Sequence, residues 1–135
     1  MKFKMMVSAG VVLATLAIPV VAGASNTLSQ YNAMYATYKQ IDAGLKNPTS
    51  TNASIEALFV RYSNEAVAFA GDDKTRSSII NKDIEAYSLA ANKWAWVGYQ
   101  TLASNTSNME PWKSAVNGLS SITVKFTNDL KKASS

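Results

Sequence analysis

The sequence predicts an all-α fold: a four-helix up-down-up-down bundle behind a cleaved N-terminal signal peptide. Three observations predict it. Apolar and aromatic residues recur three and four positions apart through four segments, the period of a helix with one buried stripe. No stretch alternates apolar and polar residues as a half-buried strand would, and short loops rich in Asn, Ser, Thr, Gly and Pro separate the periodic segments. Antiparallel neighbours joined by short loops are the default for such a pattern. The third observation is the start of the chain. Lys2 and Lys4 precede an apolar run over residues 5–21, Pro19 breaks it, and Ala22 and Ala24 form the small-x-small pattern that signal peptidase reads. Residues 1–24 are therefore expected to be a secretory signal peptide and residues 25–135 a single helical domain. The apolar run is slightly short of the roughly 20 residues that a spanning helix needs, which favours cleavage over a retained anchor, and no second apolar run is long enough to span, so no stable membrane span is expected after cleavage.

The first helix is expected over residues 28–43. Thr27-Leu28-Ser29-Gln30 fits a capping box, and Leu28, Tyr31, Met34, Tyr35, Tyr38 and Ile41 form the stripe. Gly44 followed by Leu45 fits a left-handed C-cap with an apolar closing contact. Asn47-Pro48 begins a turn, and Asn52 can cap a second helix over residues 53–70 with the stripe Ile55, Leu58, Phe59, Tyr62, Ala66 and Phe69. Asp72 and Asp73 suit the N-terminus of a third helix over residues 74–104, much the longest, whose interior Gly98 weakens. Its stripe is Ile80, Ile84, Tyr87, Ala91, Trp94 and Leu102. Pro111 suits the first turn of the last helix, which carries Trp112, Val116, Leu119, Ile122, Phe126 and Leu130, with Gly118 inside it.

Composition narrows the chemistry. The chain has no Cys, so packing rather than disulfides must hold it, and no His, which removes the commonest general base and transition-metal ligand. Ordinary zinc, copper and haem sites lose their main ligands, so no cofactor and no metal site are expected. Without Lys2 and Lys4 the 13 basic side chains become 11 against 9 acidic ones, with Arg61 and Arg76 the only arginines. That weak field gives no footprint for nucleic acid. Asp72-Asp73 offers too few oxygens for calcium and reads as helix capping. Asn52-Ala53-Ser54 and Asn105-Thr106-Ser107 match the glycosylation acceptor, which matters only in a eukaryotic source.

One feature of the third helix stands out. Trp94 and Trp96 are two residues apart, which on a helix turns them about 200° from one another. Trp94 belongs to the stripe. Trp96 falls on the opposite side with Leu89 and Tyr99, a second apolar face of the kind that binding surfaces use. The competing reading is a central helix buried on both sides. Tyr31, Tyr35 and Tyr38 share a face of the first helix and read as core with hydroxyls at the rim. The candidate binding residues are thus Leu89, Trp96 and Tyr99, with no catalytic set. The function expected is an exported, secreted or periplasmic, non-enzymatic binding protein for a protein, a peptide or an envelope component, with self-association as a further mode. One alternative is an exported helical enzyme of mutase type that positions a dianionic substrate by converging cations, although Lys39, Arg61, Lys82 and Lys93 are too dispersed in sequence to assemble such a site. Another is a membrane-active secreted toxin, although the polar helix faces are poor in Lys and Arg.

Overall fold

The computed structural model describes residues 25–71, 77–104 and 106–134. The signal peptide with its cleavage pattern, the Asp72-Asp73 cap and the Asn105 acceptor lie outside the described residues. Four helices follow one another: α1 (Ser25–Lys46), α2 (Asn52–Phe69), α3 (Ser78–Ala103) and α4 (Glu110–Ser134), and no strand occurs among the described residues. The chain is an all-α helical bundle. α1 packs on α2, α2 on α3 and α3 on α4. No described helix is long and apolar enough to cross a membrane.

The helix ends depart from the expected ones, each for a local reason. Thr27 is not an N-cap: it lies inside α1 and is buried. Gly44 is not a left-handed cap either, because α1 continues to Lys46. A Cβ on Gly44 would stand 3.1 Å from Ile55 Cγ1, so glycine serves close approach of α1 to α2 there. The turn beyond is made by Asn47, whose carbonyl accepts the Ser50 N–H at 3.1 Å while its Oδ1 accepts the Thr49 N–H at 3.0 Å. Asn52 is the first helical residue of α2 rather than its cap. Thr51 caps it, with Oγ1 accepting the Ser54 N–H at 3.1 Å. Ser77 caps α3 in the same way, accepting the Ile80 N–H at 3.3 Å. α3 therefore has 26 residues, one more than the 25 of α4, and the large excess of length expected for it is not found. Asn108 Oδ1 accepts the Glu110 N–H at 3.2 Å, and Pro111 lies in the first turn of α4 as expected.

The core is aromatic. Trp94 stands 5.3 Å from both Phe59 and Trp112, 5.1 Å from Tyr62 and 5.9 Å from Tyr38 by ring centroids, so rings from all four helices meet there. A second cluster joins Tyr31, Phe69, Tyr87 and Phe126 at 5.5 to 6.0 Å. Most of these pairs are tilted or edge-on, the arrangement that ring quadrupoles favour. The Tyr62 and Tyr87 hydroxyls, 3.1 Å apart, tie the clusters together. Burial holds both hydroxyls far above the ordinary tyrosine range and pushes Tyr31 up to about 12. Gly98 sits in a continuous α3 and faces Phe59. A Cβ there would come within 2.4 Å of the ring, so its role is contact between helices.

Three threonine hydroxyls inside this core find partners in their own helices. The side chains of Thr101, Thr123 and Thr127 each donate to the carbonyl four residues back at 2.7 Å. That lets a chain rich in Ser and Thr bury hydroxyls without distant partners.

Candidate functional site

α3 turns a single broad face inward: Ile80, Asp83, Ile84, Tyr87, Ser88, Ala91, Trp94, Ala95, Gly98, Thr101 and Leu102 are its buried residues. On a wheel these span about 140°. The reading of α3 as buried on both sides is thereby set aside. Trp94 is 1% exposed and Trp96 is 43% exposed, so the two indoles occupy the opposite environments that their spacing implies. Leu89, at 67% exposure, lies two turns before Trp96 on the same outer line. Tyr99 is different. It is half-buried, packs on the core and holds its ring 5.5 Å from that of Trp96 in an edge contact. The structure thus gathers Trp96 and Tyr99 into one aromatic ledge, with Leu89 standing apart along the axis.

Sequence reasoning missed an exposed apolar side chain on the neighbouring helix. Ser63 of α2 donates a hydrogen bond to Asn92 Oδ1 of α3, which fixes how the two helices lie side by side. One turn from that contact stand Val67 on α2, 63% exposed, and Leu89 on α3. Val67 lies at the flank of its helical stripe, so periodicity placed it neither in the core nor on a face with other apolar residues. Elsewhere along α3, Lys82, Glu85, Lys93 and Gln100 are exposed.

Two of the cations considered for a substrate site are engaged on their own helices. Lys39 lies over the Tyr35 ring at 5.1 Å, and Arg61 pairs with Glu65 at 3.6 Å on its own helix. Lys82 lines a cleft of about 410 Å³ with Ala70, Ser78, Asn81 and Glu85. Tyr31 and Tyr38 are buried in the aromatic core, while Tyr35 is half-buried and stacks on Tyr38 at 5.7 Å.

A charged cluster between α3 and α4 also escaped the sequence. Asp83, 5% exposed, accepts from Lys125 Nζ at 2.6 Å through Oδ1. The same ammonium reaches Asp129 Oδ2 at 3.1 Å. Asp83 Oδ2 is buried and has no donor. Burial, then the adjoining Asp129 carboxyl, pushes the Asp83 carboxyl above the usual carboxylate range, whereas the Asp83 hydrogen bond and Lys125 pull Asp129 below it. Two carboxyls thus face one ammonium between α3 and α4, with the Lys125 side chain itself 60% exposed. Among the described residues no group of three or more His, Cys, Asp or Glu side chains is placed to hold a metal ion. No protein-family model, curated protein or solved structure matches this chain.

Proposed function

We propose that this chain is an exported, non-enzymatic binding protein: residues 1–24 direct it out of the cytoplasm, and residues 25–135 fold as an up-down-up-down bundle that presents the outer face of α3 to a protein, a peptide or an envelope component. The order of ring contacts supports the bundle topology. Tyr31–Tyr87 and Tyr38–Trp94 run in the same sense along α1 and α3. Phe69–Tyr87 with Phe59–Trp94, and Tyr87–Phe126 with Trp94–Trp112, run in opposite senses. The observation that carries the binding reading is the exposure of Leu89 and Trp96 on the side of α3 away from its buried face. Large apolar and aromatic side chains left in water, with Tyr99 bracing Trp96, supply the anchors on which interfaces depend.

The experiment compares two tryptophans in one helix. Trp94→Ala should cost about 3–5 kcal/mol in denaturant melts, the loss for a large aromatic truncated in a core. Trp96→Ala should leave stability within about 0.5 kcal/mol while weakening retention of a partner from an envelope fraction, or self-association in sedimentation. Equal large losses of stability, or unchanged association after Trp96→Ala, would count against the reading.

A further inference from the structure

The Asp83–Lys125–Asp129 cluster lies between two helices and serves neither the aromatic core nor the exposed face of α3. Lys125 and Asp129 are one turn apart on α4, and their side chains are 60% and 13% exposed. Asp83 reaches them from α3. With both carboxyls ionised, the cluster would hold two negative charges against one positive, and Asp83 Oδ2 would be a buried anionic oxygen with no donor. Such an oxygen is costly to leave unsatisfied. A proton on Oδ2 removes both faults: it balances the charge and supplies a donor toward the neighbouring carboxylate. We propose that Asp83, Asp129 and Lys125 form a pH-operated clasp, in which one proton shared by the two carboxyls fastens α3 to α4 and its loss loosens that seam.

The direction of the pH effect follows from linkage. Asp83 holds its proton more tightly in the folded chain than in the unfolded one. Its contribution is therefore complete at low pH and disappears as pH rises through its folded value. Asp129 acts in the opposite sense, with a contribution present above the unfolded value and lost as pH falls through its depressed folded value. Because the two interact, the titrations belong to the pair. The clasp is tightest between them, where the pair carries one proton. Lys132 of α4 is the other charge acting on Asp129. On the α2 side of α3, Ser63 makes the cross-helix contact, and the nearby charges Arg61 and Glu65 pair with each other. The clasp is independent of the binding face, because Asp83 and Trp96 lie on different sides of α3.

The test uses carboxyl-carbon NMR of the full protein and thermal melts across pH. The Asp83 carboxyl should titrate above the ordinary ~3.9 of aspartate. The melting temperature of the wild type should fall as pH rises above the ordinary aspartate range and through the raised Asp83 titration. Asp83→Asn keeps an acceptor for Lys125 and gives Asp129 a permanent N–H donor, so it should abolish that fall. Titration of Asp83 in the ordinary range, or an undiminished fall in Asp83→Asn, overturns the clasp. Should Asp83→Asn not fold, the wild-type titration alone decides.

Discussion

Tyr62 and Tyr87 share a hydrogen bond where no water reaches, which makes each hydroxyl dependent on the other. Tyr62→Phe leaves the Tyr87 hydroxyl buried without its partner and should cost about 1–3 kcal/mol. Tyr62→Phe with Tyr87→Phe removes both groups and should restore most of that loss. A double-mutant cycle from urea melts measures the coupling, and additive losses would show that the hydroxyls act separately. At this scale the sequence is legible where a side chain follows the helical period. Trp94 inside and Trp96 outside could be read from a spacing of two. Asp83 could not, because polarity assigns an aspartate to solvent and its partner Lys125 lies 42 positions away. Val67 escaped for the opposite reason, an apolar residue left in water at the edge of a stripe.

The two interior helix glycines of α3 and α4 look alike in sequence and differ in surroundings. Gly98 faces Phe59, whose ring is held between Trp94 and Trp112 at 5.3 and 5.9 Å and has little room to give way. Gly98→Ala should therefore destabilise by about 1–3 kcal/mol, because overpacking exceeds the helix-propensity gain of about 1 kcal/mol. Gly118 has nothing within 4 Å of a Cβ, so Gly118→Ala should stabilise by about 0.5–1 kcal/mol. Melting curves of both variants check the pair, and a stabilising Gly98→Ala would mean that the Phe59 ring moves aside freely. Element ends were less legible than element centres. Thr51 and Ser77 cap α2 and α3, where the sequence pointed to Asn52 and to the Asp72-Asp73 pair. Capping chemistry marks a neighbourhood of several polar residues, and the packing of the stripe selects among them.

The four stripes specify most of the bundle, since nearly all of their residues lie in or against one core. What no stripe specifies is how the helices are set sideways, and that depends on cross-helix contacts such as Gly44 with Ile55, Gly98 with Phe59 and Asp83 with Lys125. The candidate face was legible because it needed one helix only, whereas the exposure of Val67 depended on the placement of α2. If the leader is removed as proposed, mass spectrometry of the exported protein should find Ser25 at the N-terminus, set by Ala22 and Ala24 before the cut. A retained Met1 would contradict export by cleavage.

The indoles also give the chain its own instrumentation. Trp94 and Trp112 form a tilted pair 5.3 Å apart in a dry, ring-lined site, while Trp96 looks onto solvent. Electronic coupling within the pair should mark the near-ultraviolet dichroism, whereas the long-wavelength edge of the emission should belong to Trp96. One optical channel therefore reports the integrity of the interior and the other reports whatever approaches the outer ledge, without a label attached to either.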